Sequence, residues 1–292
     1  MKIDSFYQMN PRRLKLFQPP SLHQLVKRDL PKFVRIENPL TVYHEIKQIN
    51  RGAFGSVFQI SLRSTGEQFA MKVLDVQSEI CMKSALMESQ IALSMDHPRV
   101  CKTYEVYYHN DQIFLIMELM SVGTLNQSTR ALIMRELIDA IMYIHSRGVL
   151  HRDIKSSNVG IVLDADGVSH FKIFDFGASC YKDDVPKDQS PVGTIYYMSP
   201  EVLINTEYSI ASEMWAFMCM IVEIHTGNPP NYEKDPENVT WFISQMKEPP
   251  IPDVLKTDYS KYGQHIFRIL KRGFEIDPAL RMTFQELLDI LP

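Results

Sequence analysis

The hydrophobic pattern of this chain changes its period once, near Gly123, and this change constrains the fold more than any other feature of the sequence. Before it, short β-prone runs alternate with turn residues, which is typical of an antiparallel sheet. After it, apolar residues recur at the spacing of amphipathic helices. The sequence therefore predicts an α+β protein of two lobes, in which a small β-rich lobe precedes a larger, mainly α-helical lobe.

The individual runs define a five-stranded antiparallel lobe with one helix. The strands are predicted over 42–49, 56–61, 68–74, 100–108 and 113–118, and the helix over 84–95. In the second lobe, Ser128 can cap a helix that runs to His145. Further helices are predicted near 212–226, 238–247, 260–273 and 283–290. These elements place the small lobe at 41–117, a hinge at 118–123 and the large lobe at 124–292.

Residues 1–40 differ from the rest of the chain, with eight Lys and Arg against three Asp and Glu, and with five prolines. This composition predicts a basic N-terminal arm, and two interpretations stay open. The arm packs on the body as a strap through apolar residues such as Phe17, Leu25 and Val34, or it is a docking segment for an acidic partner. A nucleic-acid tether is disfavoured, because the few aromatic residues of the arm do not alternate regularly with its basic residues, as a platform for stacking on bases would need.

Composition indicates an ordinary globular protein. The formal net charge is −4 and 45% of the residues are hydrophobic, so the whole chain shows no bias toward nucleic acid or membranes. The most apolar run, 214–224, is shorter than the roughly 20 residues that a membrane-spanning helix needs. The four cysteines form no C-x-x-C pair, which is typical of reduced thiols. We expect an intracellular protein of the cytoplasm or nucleus.

A glycine-containing loop joins the first two predicted strands. It comprises Ile49, Asn50, Arg51, Gly52, Ala53, Phe54, Gly55, Ser56 and Val57. Glycines let backbone N–H groups approach the phosphates of a nucleotide, because no side chain intervenes. A plain β-hairpin would have a similar sequence, so the loop alone leaves both interpretations open.

A lysine stands within the apolar run of the third predicted strand, Phe69-Ala70-Met71-Lys72. A lysine in a central strand needs a partner for its charge, and Glu88 follows on the predicted helix. An ion pair between Lys72 and Glu88 would hold the ammonium group where it can meet phosphate oxygens. The alternative is an edge lysine that faces water.

Two motifs in the second lobe contain the residue types that phosphoryl transfer requires. The first is His151-Arg152-Asp153-Ile154-Lys155-Ser156-Ser157-Asn158, and the second is Asp175-Phe176-Gly177. With the glycine loop and Lys72, they stand in the order and spacing of the eukaryotic-type protein kinases, which the chain resembles over residues 41–291. The subfamily stays open.

The resemblance implies roles for the polar residues of these motifs. Asp153 would accept a hydrogen bond, and then the proton, from the substrate hydroxyl, and Lys155 would offset charge on the moving phosphoryl group. Asn158 would orient Asp153. Asn158 and Asp175 would also hold Mg²⁺, whose preferred ligands are oxygen atoms.

The resemblance implies a nucleotide site as well. Lys72, held by its glutamate, would bind the α- and β-phosphates of ATP. At the adenine end, Ala70 and Met117 would line the pocket, and Met117 would close its back. Backbone groups of Glu118 and Met120 would bond the edge of the adenine. Simple core packing is the alternative role for these apolar side chains.

Serine/threonine specificity is implied by two further features. Lys155 follows Asp153 by two residues, and Gly193-Thr194 precedes Ser199-Pro200-Glu201, as in the serine/threonine group. The implied function is ATP-dependent phosphorylation of serine or threonine hydroxyls in protein substrates. The alternative is a pseudokinase that acts as a nucleotide-binding scaffold, which the intact set of charged residues disfavours. No feature of the sequence indicates an oligomeric state.

Three further expectations come from the family pattern. Glu213 stands where the family usually has aspartate, and its extra methylene can still reach the backbone of the catalytic loop. Glu201 and Arg281 match a buried ion pair of the family. Ser190 occupies the usual phosphorylation position, and we hypothesise that its phosphate pairs with Arg152.

Overall fold

The computed structural model describes residues 30–52, 55–120, 130–163, 166–185 and 190–291. Within these ranges the chain forms a β-sheet with one helix packed on it, followed by a mainly helical lobe. The predicted α+β class with two lobes is confirmed.

The sheet of the first lobe contains six strands in the described ranges, in the order β1-β5-β6-β4-β3-β2. Its strands are β1 Val34–Arg35, β2 Tyr43–Gly52, β3 Gly55–Leu62, β4 Gln68–Asp75, β5 Thr103–His109 and β6 Gln112–Glu118. The five predicted strands correspond to β2 to β6, which form antiparallel pairs. The sixth strand, β1, is an addition that lies parallel to β5 at the edge.

Strand β1 belongs to the segment that the sequence predicts as an arm. Val34 pairs with Val106 and Arg35 with Tyr107, and two residues are too few to give an alternating pattern. Val34 is buried in the core, and the side chains of Leu30 and Phe33 pack against it. Residues 30–35 therefore lie on the body as a strap. The rest of the predicted arm, 1–29, lies outside the described ranges.

One helix of the first lobe, α1 (Glu79–Ser94), packs on the sheet. It begins earlier than predicted because Ser78 caps it, and the Ser78 hydroxyl accepts a hydrogen bond from the Cys81 N–H at 3.1 Å. The buried residues of α1 are Met82, Ala85, Glu88, Ser89, Ile91 and Ala92. A glutamate on an otherwise apolar face requires a buried partner of opposite charge.

The second lobe is built around helix α4 (Ile210–Thr226), most of whose residues are buried. A capping box of Ser209 and Ser212 begins the helix, and Gly227, at φ +91°, ends it. The other helices are α2 Arg130–Ser146, α3 Pro200–Asn205, α5 Pro236–Ser244, α6 Asp253–Lys256, α7 Lys261–Gly273 and α8 Phe284–Ile290. The predicted helices correspond to α2, α4, α5, α7 and α8. Among the described residues, none of the helices combines the length and apolar character needed to cross a bilayer.

Two short antiparallel ribbons, which the sequence pattern does not predict, position the two motifs. Strand β7 (Val149–Leu150) pairs with β10 (Cys180–Tyr181), and β8 (Val159–Leu163) pairs with β9 (Ser169–Ile173). The first motif runs from β7 to β8, and the second lies between β9 and β10. Each motif therefore connects one ribbon to the other, which places the two motifs side by side.

A buried ion pair joins α3 to the segment before α8. Arg281 Nη1 donates to Glu201 Oε1 at 2.6 Å, and Nη2 donates to Oε2 at 3.1 Å. The Arg281 side chain is 0% exposed and also donates to Ala211 O at 2.8 Å. Its guanidinium carbon lies 5.1 Å from the centre of the Trp215 ring. The expected Glu201–Arg281 pair is therefore present.

Replacement of Arg281 by methionine will lower the free energy of unfolding by about 3–5 kcal/mol, because the Glu201 carboxylate stays buried without its partner. Urea unfolding followed by circular dichroism measures this loss. The control is Arg272→Met, which removes the half-exposed Arg272–Glu286 pair and will cost about 1 kcal/mol or less. Equal losses in the two variants would contradict the difference between buried and exposed pairs.

Candidate active site

Three charged side chains from distant parts of the chain meet between the lobes. Lys72 Nζ, on β4, lies 2.6 Å from Glu88 Oε1 on α1 and 2.7 Å from Asp175 Oδ1. The side chains of Lys72 and Glu88 are each 8% exposed. The predicted Lys72–Glu88 pair is confirmed, and the alternative of an edge lysine facing water is wrong.

Burial and ion pairing oppose each other in this Lys72 cluster, and at Glu88 burial prevails and raises the pKa of the carboxyl group. Burial alone would lower the pKa of Lys72, but the charges and hydrogen bonds of Glu88 and Asp175 outweigh it and raise that pKa. Burial would raise the pKa of Asp175, yet the charge of Lys72 outweighs it and lowers that pKa. Gly177 leaves room for this arrangement, because a Cβ there would lie 3.2 Å from Asp175 Oδ1 and 3.3 Å from Glu88 Oε2.

A second cluster surrounds Asp153 in the loop between β7 and β8. Lys155 Nζ lies 2.7 Å from Asp153 Oδ2, and the Thr194 hydroxyl donates to Asp153 Oδ1 at 2.7 Å. Lys155 Nζ also donates to Thr194 Oγ1 at 2.7 Å, which closes a triangle. Asn158 Nδ2 donates to Asp153 Oδ2 at 3.0 Å and to Asp153 O at 2.8 Å. Both carboxylate oxygens of Asp153 therefore have donors that fix the orientation of the group.

Thr194 is a member of this Asp153 cluster that the sequence analysis does not include among the site residues. The preceding Gly193 has φ +109°, and a Cβ on it would lie 2.3 Å from Arg152 O. Only glycine allows the segment to come this close to the loop between β7 and β8. The Gly193-Thr194 pair is the signal that identifies Thr194, although it does not reveal the bond to Asp153.

A cleft of about 840 Å³ lies between the lobes and reaches the Lys72 cluster. Predicted nucleotide-binding residues that line it are Ile49, Asn50, Val57, Ala70, Lys72, Glu88, Met117, Glu118 and Met120. The predicted metal ligands Asn158 and Asp175 line it too. Asn158 also bonds Asp153, and so it joins the cleft to the Asp153 cluster.

Four further residues of the predicted loop, Arg51, Gly52, Gly55 and Ser56, lie in the β2–β3 hairpin. Arg51 pairs with Ser56 and Gly52 with Gly55. Gly55 has φ +120°, and a Cβ on it would lie 2.1 Å from Val73 O, so glycine is required there for contact with β4. The loop residues Ala53 and Phe54 lie outside the described residues.

The profile of the family described as "Protein kinase domain" matches residues 43–290. The chain belongs to the protein kinase family. The Lys72 cluster lines the cleft of this kinase, and the Asp153 cluster adjoins the cleft through Asn158.

Similar proteins include several that are much longer than this chain. Serine/threonine-protein kinase PAK mbt of Drosophila melanogaster is 30% identical over 278 residues, which cover 91% of this chain and 42% of that protein. Cell division control protein 7 of Schizosaccharomyces pombe is 29% identical over 252 residues, covering 82% of this chain and 23% of that protein. Human serine/threonine-protein kinase 10 is 27% identical over 284 residues, which cover 91% of this chain and 28% of that protein. The chain spans less than half the length of each of these relatives.

The loop between β7 and β8, which contains Asp153, rests on a buried glutamate of α4. Glu213 Oε1 accepts a hydrogen bond from the Arg152 N–H at 2.6 Å, and Glu213 Oε2 lies 2.5 Å from His145 Nε2 on α2. The expectation that this longer side chain reaches the loop backbone is confirmed. Burial would raise the pKa of Glu213, but the hydrogen bond and charge of His145 outweigh it and lower that pKa. Arg152 itself has φ +63°, so this contact holds a backbone conformation that is uncommon outside glycine.

A second carboxylate joins the end of strand β6 to the second lobe. Lys172 Nζ, on β9, lies 2.7 Å from both carboxylate oxygens of Glu118. The two side chains are only 15% and 18% exposed. From the sequence, Glu118 is expected to bind the nucleotide through its backbone, and nothing in the sequence pattern indicates the Glu118–Lys172 pair.

The guanidinium of Arg152 already has contacts in the segment after the second motif. Its Nε donates to Ala178 O at 2.6 Å, and its Cζ lies 5.1 Å from the centre of the Tyr208 ring. The Tyr208 hydroxyl in turn accepts from the Val192 N–H at 2.7 Å and donates to Val192 O at 2.6 Å. Ser190 is exposed nearby in sequence. The pairing of a phosphorylated Ser190 with Arg152 stays a prediction.

Replacement of Glu213 by glutamine keeps the shape of the side chain and removes its charge. Because folding lowers the pKa of Glu213 below its ordinary value of 4.5, the carboxylate contributes stability at neutral pH that is lost as the pH falls below that value. At about pH 7 the free energy of unfolding of the variant will be about 1–3 kcal/mol lower than that of the wild type. This difference in unfolding free energy will become smaller as the pH falls toward about 4. Urea unfolding at several pH values measures both effects.

The control for this pH series is Glu237→Gln, because Glu237 is an exposed residue in the first turn of α5. It will unfold like the wild type at every pH. A Glu213→Gln deficit that stays constant over the acidic range would show that the charge of Glu213 does not contribute to stability.

Proposed function

We propose that this protein transfers the γ-phosphate of MgATP to serine or threonine hydroxyls of other proteins. The observation that carries the proposal is the Asp153 cluster, a carboxylate oriented by a lysine, a threonine and an asparagine beside the cleft. Phosphoryl transfer requires mainly positioning and charge neutralisation, and these residues can supply both.

ATP would lie in the cleft with its adenine against the hinge. Backbone groups of Glu118 and Met120 would bond the base, and the glycine loop would cover the phosphates. Lys72 would bind the α- and β-phosphates, since its ammonium is held charged by Glu88 and Asp175. The partial solvent exposure of the Asp175 side chain, 24%, supports its accessibility from the cleft.

The donor set fits Mg²⁺. This ion prefers oxygen ligands and is usually held by one or two protein groups together with substrate phosphates and water. Asp175 offers a carboxylate, and Asn158 offers its amide oxygen because its amide nitrogen is engaged by Asp153. When bound, Mg²⁺ would neutralise charge on the β- and γ-phosphates.

The protein's own residues orient the substrate and receive its proton. Asp153 would accept a hydrogen bond from the substrate hydroxyl, whose oxygen forms the new bond to the γ-phosphorus. As the bond from phosphorus to the β,γ-bridging oxygen breaks, ADP leaves and the hydroxyl proton passes to Asp153. Lys155, 2.7 Å from Asp153, would offset the negative charge on the phosphoryl group during transfer.

The choice of serine and threonine hydroxyls rests on the Lys155–Thr194 contact and on the relatives. Thr194 bridges Lys155 and Asp153, and so the segment that would bind the substrate is joined to the catalytic residues. Two of the relatives described above carry the name serine/threonine-protein kinase. Protein substrates are the proposed partners. An acidic partner for the basic arm and a location in the cytoplasm or nucleus stay predictions.

The Asp153→Asn variant tests turnover. It will lower transfer of radiolabelled γ-phosphate to a generic basic protein by about 100-fold or more, because a positioned base contributes roughly 10²–10⁴ to such a reaction. Binding of ADP, measured by titration calorimetry, will stay unchanged. A wild-type protein that binds ADP and transfers no more label than Asp153→Asn would instead support the pseudokinase scaffold.

A pair of substitutions at Thr194 tests the bridge. Thr194→Val keeps the shape but removes the hydroxyl, and it will lower kcat by about tenfold or more, the equivalent of one hydrogen bond to a charged group. Thr194→Ser keeps the hydroxyl and will retain most of the wild-type kcat. Steady-state kinetics with a serine peptide measures both. A kcat that falls in Thr194→Ser but stays at the wild-type value in Thr194→Val would assign the effect to the methyl group and contradict the bridge.

A further inference from the structure

Strand β8 contains a buried glycine next to the cleft. Gly160 follows Asn158 by two residues and pairs in regular register with Lys172 on β9. Its φ is not positive, so the backbone of β8 does not require glycine at this position. The reason for a glycine must therefore be the space that its missing side chain leaves.

That space is filled by the side chain of Met120. A Cβ built on Gly160 would lie 2.7 Å from Met120 Sδ, 3.0 Å from its Cε and 3.1 Å from its Cβ. The Met120 side chain thus packs directly against the bare backbone of β8. Even alanine at position 160 would force the thioether to move.

Met120 also lines the cleft, together with Met117 and Leu119. Its side chain is half-buried, with one surface on Gly160 and another available to the cleft. Methionine is flexible and polarisable, and its sulfur makes favourable contacts with aromatic rings. Because the end of Met120 can rotate, a side chain at position 160 would push it toward the cleft at little cost to the fold.

We propose that Met120 and Gly160 act as one unit that determines the shape of the base-binding pocket. The thioether of Met120 provides the surface on which the planar nucleobase lies, and Gly160 provides the space that keeps this thioether out of the base's volume. This inference rests on the proposed function, since it assigns the specificity of the same nucleotide site.

If Met120 and Gly160 act as one unit, substitutions at the two positions will not have independent effects on the affinity for ADP. Met120→Ala removes the surface under the base, and it will weaken binding about twofold to tenfold, the range of one sulfur–aromatic contact. Gly160→Leu drives Met120 into the pocket and will weaken binding by more than about tenfold. In the Met120→Ala/Gly160→Leu double variant the new leucine occupies the vacated space, so binding will be tighter than in Gly160→Leu alone.

The experiment is titration calorimetry of wild type and the three variants with ADP and Mg²⁺, with thermal unfolding to compare their stability. Met246→Ala, a half-buried methionine outside the lining of the cleft, is the matched control and will bind ADP like the wild type. If the losses of ADP-binding free energy in Met120→Ala and in Gly160→Leu simply add up in the double variant, the inference is overturned. Wild-type binding in Met120→Ala, a variant that folds whatever the fate of the Gly160 variants, would also overturn it.

The outcome separates this inference from the proposed function. If the wild type binds ADP and the variants show no coupling, only the Met120–Gly160 unit is overturned. If the wild type does not bind ADP in the presence of Mg²⁺, the proposed nucleotide site itself is wrong, and the inference is overturned with it.

Discussion

The buried ammonium of Lys72 is the interaction on which the arrangement of the two lobes depends. Removing such a charge from water costs several kcal/mol unless carboxylates replace the lost solvation. One carboxylate comes from Glu88 on α1, and the other from Asp175, which follows β9 in the second lobe. The sheet, the helix packed on it and the large lobe must therefore all be in place before Lys72 is stabilised. The cleft exists because these three parts meet at one charged group.

A buried charge also holds the loop between β7 and β8, which contains Asp153. Glu213 is buried in α4, where it accepts the Arg152 N–H and contacts His145 on α2. A chain conformation with positive φ at a bulky residue is costly, and this contact is what offsets the cost. The Lys72 cluster thus fixes the part of the site that lines the cleft, and Glu213 positions the loop that contains Asp153. Both depend on buried charges that bond across elements distant in sequence.

The sequence predicts those features that repeat along the chain or need a partner. Strands β2 to β6 follow from alternating runs, and the Lys72–Glu88 pair follows from a lysine in an apolar strand. Strand β1 and the two ribbons escape prediction, because segments of two to five residues contain too little periodicity. Their positions are set by tertiary pairing.

Within the site, single residues are predictable where chemistry restricts their type, as it does for Asp153 and Asp175. Contacts of residues whose type is not restricted by the chemistry cannot be predicted in this way. A threonine such as Thr194 and a pair such as Glu118–Lys172 have many possible roles in a sequence, and only the fold selects one. The same is true of Gly160, because a glycine without positive φ is explained only by the side chain that lies against it.

The Glu118–Lys172 pair has a mechanical consequence. Glu118 is bonded into the sheet through its pairing with Phe69, and its carboxylate is fixed to β9 of the large lobe. A point attached to both lobes can move little relative to either, so the axis of any rotation between them must pass close to it. Displacement then grows with distance from this axis. In the sheet, Glu118 pairs with Phe69 and Phe69 with Ile60, whereas the Gly52–Gly55 pair lies at the other end of strand β3. Any such rotation would therefore displace this end of the β2–β3 hairpin more than it displaces Glu118.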